Sequence, residues 1–379
     1  MDAAVRIGER LKKLREERGW TQTELARRAE VAQSTVAGIE IGSQFPGTGL
    51  LGRLADLFRV DLDFFYRAKE SPFEMLLRAE EVEPELRKAL RNFTEWCRRY
   101  VEIEQASGHM LSMAPGYSIP ARGGGWFDLP ERVADEARRR LNLGIGQTCD
   151  LPEILERDGL RVMGVKVEAE IDGVFLFAEE EGGFALINTR RPAVRQLFTL
   201  AHEYGHFLMH RSLGYRLDYD ATAMLSKGDR AEIAAGRFAA AFLMPKSTIE
   251  SWWEQQGRDN LAQIMWLRRM LGVSYRALGW RLMNLGLITA STRDRLEEEE
   301  DALKAQERLL YEDEANDEAQ QWLKIQEFSD RLKFMSYVAF LRGGVTVSKL
   351  AHWLETDVVT ADRIARTLKG EDEARVPAR

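Results

Sequence analysis

The sequence predicts a multidomain protein in which an all-α domain is followed by an α+β domain and then by a helical C-terminal region. Three observations predict this order. Short apolar stripes at helical spacing fill residues 1–67. Three strand-like runs stand between helical segments within residues 128–290. Helical patterns without strands return in residues 291–379.

The composition is that of a globular chain with more than one core. The chain has 379 residues, of which 45% are hydrophobic and 30% are charged, enough for two or three domains at roughly 100–200 residues each. A net charge of −7 excludes a general polyanion binder, so a nucleic-acid contact needs a local basic surface. Cys97 and Cys149 lie far apart and predict no disulfide framework. We find no signal peptide or membrane-spanning run, and we expect a cytoplasmic protein with no membrane partner.

Composition divides the chain into four segments. Residues 1–67 are a set of short helices. Residues 68–127 contain a charged helix or helix pair, interrupted or begun at Pro84, followed by a linker rich in Gly, Pro and Ser. Residues 128–290 hold the strand-like runs. Residues 291–379 open with an acidic stretch, expected to be a solvated helix or a spacer, and end in a small helical module with a frayed tail.

The third segment has the pattern of a small sheet covered by helices. Apolar runs bounded by turn residues predict three strands, at residues 160–167, 173–179 and 183–189. Amphipathic patterns predict helices at about residues 131–143, 151–159, 191–211, 229–243, 247–256, 260–271 and 274–285. We expect the sheet to be antiparallel.

A histidine pair carries the strongest chemical signal. His202 and His206 stand within RQLFTLAHEYGHFLMH, four residues apart, with Glu203 between them. On a helix the two imidazoles project from one face and can ligate one Zn²⁺. Glu203 lies about 100° round the helix, where it can hold a water rather than the metal. The alternatives are a structural histidine pair on a buried helix face and a metal site without peptidase activity.

A catalytic zinc site needs a third protein ligand and an open position. We predict Glu232, within RAEIAAGRFAAAFLMP, because small residues let its helix pack close to the histidine helix. Two histidines and a glutamate form the gluzincin ligand set, and these groups accept Mn²⁺ as well as Zn²⁺. His210 lies about 12 Å along the helix from His202, too far to share one ion, and is expected beside the site or at the surface. Weaker alternatives for the third ligand are Asp218, Asp220 and Asp229.

These residues predict a hydrolytic site. The metal would lower the pKa of its bound water, and Glu203 would accept the proton and later pass it to the leaving amine. The sequence does not single out a group that stabilises the oxyanion. Three tyrosines are candidates for that role: Tyr204, Tyr215 and Tyr219.

From about residue 130 to residue 290 the chain resembles the ImmA/IrrE family of metallopeptidases. The resemblance rests on LINTRRPAVRQLFTLAHEYGHFLMH, RAEIAAGRFAAAFLMP and VSYRALGWRLMNLGLI. It implies that Glu203 is catalytic and that zinc is bound by His202, His206 and Glu232. One departure is Gly236, which stands where the family usually has an asparagine.

The segment TQTELARRAEVAQSTVAGIEIG is typical of two helices joined by a short turn. The start of the second helix is where side chains reach base edges in such a motif. Base contacts are therefore predicted for Gln33, Ser34 and Thr35. Phosphate contacts are predicted for Gln22 and Ser43.

Residues 5–66 resemble the XRE-type, phage-repressor-like helix-turn-helix family. The resemblance implies binding of double-stranded operator DNA, commonly as a homodimer. Acidic and basic residues nearly balance in this region, and Ile41 stands where a polar or basic residue is more usual. The alternative is that these helices serve protein–protein contact. The C-terminal VTVSKLAHWLETDVVTADRIARTL has a similar rhythm, which leaves open a second nucleic-acid module or a helical docking or dimerisation element.

The combined features predict a DNA-binding transcriptional regulator fused to a zinc-dependent endopeptidase. The resemblance implies that the substrate is a partner repressor or antitoxin-like protein, cleaved in a stress response. One alternative is a metal- or partner-sensing transcription factor with no proteolytic activity, and another is a toxin–antitoxin or phage-defence component. The intact Glu203 favours the enzyme, because a pure sensor does not need a general base.

Overall fold

The computed structural model describes residues 3–58, 60, 65, 72–77, 82–117, 126–144, 150–219, 229–256, 261–311, 325 and 329–370. The chain divides into two compact units, Met1–Ser71 and Pro72–Arg379. The first unit is helical, and the second contains an α+β region with a four-stranded sheet followed by a helical region. The predicted order of fold classes is therefore confirmed. The segment boundaries at residues 67, 127 and 290 stay predictions.

The first unit is a set of short helices around one core. Its helices are α1 Ala3–Glu17, α2 Gln22–Arg28, α3 Gln33–Glu40 and α4 Thr48–Phe58. The hydroxyl of Thr21 accepts a hydrogen bond from the N–H of Glu24 and so caps α2. One buried cluster joins the apolar stripes of these helices: Ile7, Leu11, Leu25, Val36, Ile39, Leu51, Leu54 and Phe58.

Helices make up most of the second unit. They are α5 Pro72–Leu77, α6 Pro84–Ser107, α7 Leu129–Arg140, α8 Leu151–Arg157, α9 Ala193–Met209, α10 Arg230–Leu243, α11 Lys246–Gln256, α12 Leu261–Leu271, α13 Tyr275–Asn284, α14 Ala290–Glu298, α15 Glu300–Tyr311, α16 Asp330–Leu341, α17 Val347–Trp353 and α18 Val358–Leu368. Pro84 begins α6, at a position where a backbone N–H is not needed. No helix among the described residues has both the length and the apolar character needed to cross a membrane.

Four strands form one mixed sheet in the order β1-β3-β2-β4. They are β1 Leu160–Val165, β2 Gly173–Ala178, β3 Gly182–Asn188 and β4 Tyr215–Asp218. The expectation of an antiparallel sheet is wrong for β1, which pairs in parallel with β3. A tight turn joins β2 to β3 and makes these two strands antiparallel. Residues 166–172 reverse the direction of the chain between β1 and β2, and β3 lies between those two strands, so β1 and β3 run parallel. The sequence did not predict β4, because four residues give too short an alternation to detect.

The sheet is covered on both faces. Phe175 and Phe177 of β2 belong to the core shared with α9. Val174 and Leu176 alternate with them and belong to the core shared with α6, which also contains Trp96. Because both faces are buried, the strands read as nearly continuous apolar runs. Helix α6, expected within a connector, is thus a core helix of the sheet.

The segment expected as a linker is hydrogen-bonded to the second unit where it is described. Residues 109–117 form no helix or strand. The N–H groups of Ala114 and Tyr117 donate to the carbonyls of Asp158 and Leu208, at 3.0 and 2.7 Å. Parts of the predicted linker, acidic stretch and frayed tail lie outside the described residues: 118–125, 312–318 and 371–379.

A buried charge network fastens the C-terminal helices to α6. Glu104 of α6 is fully buried and accepts hydrogen bonds from Arg161 of β1 and Arg331 of α16, at 2.5 and 2.9 Å. Arg331 also donates to the hydroxyl of Tyr100, at 2.8 Å. One carboxylate therefore joins the sheet, α6 and α16.

Candidate metal centre

Helix α9 presents the histidine pair to the interior of the second unit. Its apolar residues recur at helical spacing, so one face packs on the sheet. His202 and His206 stand one turn apart with 3% and 0% of their surfaces exposed. The ring of Phe175 stacks on that of His206, with centroids 5.8 Å apart. The imidazole of His206 is thus held between α9 and β2.

Helix α10 brings Glu232 to the same place. The Asp229 side chain caps α10 by accepting from the N–H of Ala231 at 2.9 Å, which places Glu232 in the first turn. The two helices approach closely where Gly205 faces Ala235. A Cβ on Gly205 would lie 3.3 Å from the Cα of Ala235. The small residues predicted to allow close packing are therefore at the crossing.

Three donor atoms converge between these helices. Nε2 of His202 lies 3.1 Å from Nε2 of His206 and 3.1 Å from Oε2 of Glu232, and His206 lies 3.4 Å from the same oxygen. Ligands arranged tetrahedrally around zinc, at bonds of 2.0–2.1 Å, are about 3.3 Å apart. The three residues therefore fit one zinc ion. Among the described residues they are the one group of three such side chains that meets in this way.

The remaining histidine of α9 lies beside the pair. His210 is 6% exposed and its ring centroid is 4.9 Å from that of His206, so of the two expected positions it occupies the one beside the site and not the one at the surface. Neither of its ring nitrogens has a hydrogen-bond partner among the described residues. Burial and, to a smaller extent, the neighbouring histidines lower the pKa of His210 to about 3. The ring is therefore neutral at physiological pH.

Glu203 is enclosed next to the donor cluster. Its side chain is 0% exposed, and neither carboxylate oxygen has a hydrogen-bond partner among the described residues. A Cβ on Gly173, at the start of β2, would overlap Oε1 of Glu203. Burial raises the pKa of Glu203 well above its usual value, and the nearby carboxylates of Asp218 and Glu232 raise it further. Such a group readily takes up a proton.

The donor cluster has the charge state that metal binding needs. Burial opposes ionisation of Glu232, but hydrogen bonds from His202 and His206 outweigh it and lower the pKa of that carboxyl. Burial also opposes a charge on His202, whereas Asp218 and Glu232 raise its pKa. Burial lowers the pKa of His206 to about 4. An ionised carboxylate and a neutral imidazole are ready ligands, and a cation would displace the remaining proton.

Comparison with known families identifies the domain that carries these residues. Residues 155–283 match the IrrE N-terminal-like domain, a metallopeptidase family. The second unit carries an IrrE N-terminal-like domain. Residues 6–63 match a helix-turn-helix domain, so both domains stand in the predicted order. A metallopeptidase family implies a divalent metal, and the three converging side chains offer it a site.

No curated protein matches the chain. Among solved structures, that of Bacillus thuringiensis PlcR in complex with the peptide PapR7 and DNA matches at 12% identity. The match covers 99% of this chain and 100% of that chain with a TM-score of 0.16. A TM-score of this size carries no argument about fold or function.

Sequence reasoning missed Arg216 of the IrrE N-terminal-like domain. Its guanidinium forms an ion pair with Asp229 at 2.9 Å and lies 3.8 Å from Oε1 of Glu232. No sequence pattern indicates that Arg216 lies beside the site, because β4 was not predicted. Asp218, also on β4, lies 3.7 Å from Nε2 of His202. Asp229 caps α10, and Asp220 lies outside the described residues.

The tyrosines of this domain differ in their surroundings. Tyr204 is fully buried, and its hydroxyl is bonded to Asp158 and Arg140, so it belongs to the core. That arrangement removes Tyr204 from the candidates for oxyanion stabilisation. Tyr215 is half-buried on β4 and Tyr219 is 49% exposed.

The helix-turn-helix domain carries the predicted DNA contacts in two places. Gln33, Ser34 and Thr35 begin α3, and the first two are exposed. Gln33 donates to the side-chain oxygen of Gln22 at 2.8 Å, so these two predicted contacts lie together. Ser43 lies after the end of α3, where its hydroxyl donates to a carbonyl of that helix.

A buried ion pair that sequence reasoning missed supports this arrangement. Arg15 of α1 bonds Glu40 of α3 at 2.6 Å, and Gln22 donates to the same carboxylate at 2.8 Å. The pair fixes α1 against α3 and orients the amide that meets Gln33. Arg15 and Glu40 are 25 positions apart, so no local sequence pattern indicates that they pair.

Proposed function

We propose that this chain is a DNA-binding transcriptional regulator whose IrrE N-terminal-like domain is a zinc-dependent endopeptidase. The convergence of His202, His206 and Glu232 on one point carries the proposal. Glu203 supports hydrolysis over metal sensing, because a sensor has no use for a second, enclosed carboxylate. Following the resemblance, we take the substrate to be a partner repressor or antitoxin-like protein that is cleaved in a stress response.

The chain's own residues account for binding and for proton movement. A divalent ion held by His202, His206 and Glu232 would polarise a peptide carbonyl and acidify a water molecule. Glu203 takes the proton from the attacking water and delivers it to the leaving nitrogen, and burial stabilises the protonated form in between. The positive charge of Arg216, 3.8 Å from Oε1 of Glu232, attracts that oxygen and so favours the orientation in which Oε2 faces the histidines.

Metal content tests the ligand assignment. Purified protein should hold stoichiometric zinc, and His202→Ala or His206→Ala should abolish it. Glu232→Ala should weaken zinc at least about tenfold, since one of three protein ligands is gone. His210→Ala is the matched control and should keep its zinc. An unchanged affinity in Glu232→Ala would move the third ligand to Asp218.

A substrate trap tests the reaction. Glu203→Gln should keep zinc yet lose about 10²- to 10⁴-fold in turnover, because the general base is absent. Proteins retained by this variant are identified by mass spectrometry, purified and incubated with the wild type. Cleavage by the wild type alone supports the proposal. Equal cleavage and equal derepression by both proteins would leave a regulator without proteolysis.

A further inference from the structure

The C-terminal helices repeat the local geometry of the N-terminal helix-turn-helix. Helices α2 (Gln22–Arg28) and α17 (Val347–Trp353) are each 7 residues long. Each is capped by a threonine, and Thr346 stands 325 residues after Thr21. The cap hydroxyl accepts from the N–H three residues on, at 3.1 Å in the first case and 3.2 Å in the second. Each pair of equivalent positions compared below is also 325 residues apart.

The turn between the helices is the same in both places. Glu30 and Glu355 both adopt the left-handed conformation, with φ of 55° and 50°, which non-glycine residues seldom do. The next residue then donates its N–H back to the first helix. Val31 bonds the carbonyl of Ala26 and Thr356 bonds that of Ala351, both at 3.0 Å. The second helix begins at the same place in each copy.

Two buried positions of the first helix also agree in the two copies. Leu25 and Leu350 are both 0% exposed, and the alanine after each is 3% exposed. One difference is in the preceding helix, where Lys333 stands at the position of Gly8. A Cβ on Gly8 would overlap the carbonyl of Ile39, so the C-terminal copy cannot bring its first helix equally close to the third.

The outer face of α18 (Val358–Leu368) carries side chains suited to base edges. Val358 and Val359 occupy the positions of Gln33 and Ser34 and are 53% and 80% exposed. Arg363 lies one turn further on and is exposed. Aliphatic side chains contact the methyl group of thymine, and arginine binds O6 and N7 of guanine.

From these observations we infer that residues 347–368 are a second DNA-binding helix-turn-helix, in which Val359 and Arg363 contact the bases. Charge supports DNA as the occupant. Helix α18 carries two arginines against Asp362, whereas α3 carries no basic residue. Arg366 pairs with Asp362 at 2.9 Å, which leaves Arg363 available for DNA. Two valines alone are too small an apolar patch for a stable protein interface.

The test uses the full chain and a pool of random DNA duplexes of about 30 base pairs, roughly three helical turns. Duplexes selected by the wild type are measured against Val359→Asp and Arg363→Ala. Both variants should bind at least about tenfold more weakly, and the footprint should shorten on one side. Arg132→Ala, which removes an exposed arginine of α7, is the matched control and should bind normally. Both substituted side chains are exposed, so thermal unfolding should be unchanged.

Three outcomes would overturn the inference. The first is an unaltered affinity and footprint in both variants, and the second is a wild type that selects no duplex. The third is normal DNA binding together with a changed molecular mass in light scattering, which would assign the face to a second copy of the chain. Zinc content and substrate cleavage should be the same in all these proteins, so this inference and the peptidase proposal can fail separately.

Discussion

Gly173 has no side chain, and the carboxylate of Glu203 lies where a side chain would be. In Gly173→Ala the new Cβ would overlap Oε1 of Glu203 and lie 2.6 Å from Thr199 Cγ2. We expect the carboxylate to shift and turnover to fall about 10- to 100-fold while zinc is retained. The measurement is kcat on the captured substrate together with zinc content.

A matched control is available for this substitution. Gly144→Ala adds the same methyl group where no atom of the described residues lies within 4 Å, and it should change neither quantity. Wild-type turnover in Gly173→Ala would show that the position of Glu203 does not depend on this contact.

Arg216 is expected to affect metal affinity through Glu232. In Arg216→Gln the charge beside Oε1 of Glu232 is lost, and so is the ion pair with Asp229. Residues that orient a metal ligand change affinity about 10- to 100-fold when they are replaced. Competition with a chelator measures this effect without an activity assay. Arg190→Gln, at an arginine that is half exposed and paired with Glu168, should bind zinc as the wild type does.

For single residues, the sequence predicted the roles that depend on one helix and missed the roles that depend on the pairing of strands in the sheet. His202 and His206 could be placed because their spacing along one helix fixes which way they project. Glu232 was found through the small residues around it. Gly173 and Arg216 could not be found, because their roles depend on which strand lies next to which.

The crossing of α9 and α10 determines whether Glu232 can reach the histidines. Ala235 lies in that crossing, against Gly205. In Ala235→Leu the larger side chain should push the helices apart, lowering the free energy of unfolding by about 1–3 kcal/mol. Zinc affinity should fall with it, because the ligands sit on both helices. Chemical denaturation and chelator competition measure the two effects.

Ala302→Leu is the control for Ala235→Leu, because it makes the same change in residue size outside the crossing of α9 and α10. Ala302 is exposed on α15, so the added carbons meet solvent. We expect its zinc affinity and stability to be close to those of the wild type. Normal zinc binding in Ala235→Leu would show that α10 can shift without moving Glu232.

Elements with a long, regular pattern were predicted best. The histidine helix was expected at residues 191–211 and is found at Ala193–Met209. Strand β4 was missed because it is only four residues long. The parallel pairing of β1 was missed because it depends on the insertion of β3 between two strands that are consecutive in sequence.

On the scale of the whole second unit, Glu156 makes stability depend on pH. Burial raises the pKa of this carboxyl to about 7, and its Oε2 has no hydrogen-bond partner among the described residues. The folded chain therefore holds a proton that the unfolded chain releases near pH 4.5. Because the native state binds more protons in this window, the free energy of unfolding falls as pH rises from about 4.5 to about 7.

Removing that carboxyl should flatten the pH dependence. In Glu156→Gln the loss between about pH 5 and about pH 8 should shrink by roughly 3 kcal/mol, while an acceptor for the Tyr100 hydroxyl is kept. Denaturant unfolding at both pH values measures this. Glu153→Gln, an exposed position of the same helix, should keep the wild-type slope. A wild-type slope in Glu156→Gln would contradict the assignment.

The order of domains could be predicted from composition and pattern, but the part played by α6 could not. Its charged stripe resembled a connector, whereas its apolar residues pack on the sheet through contacts with strands that follow much later in the chain. Such long-range packing cannot be recognised from the pattern of a short stretch of sequence.

The carboxylate shared by Arg161 and Arg331 limits how the chain can be shortened. If the polypeptide ended before Arg331, Glu104 would keep a single counter-charge in a place that water does not reach. The same cut would uncover apolar surface on α6. The IrrE N-terminal-like domain is therefore not separable from the last helices by truncation alone, and a neutral replacement at position 104 would not solve this, because it would leave Arg161 buried without its carboxylate partner.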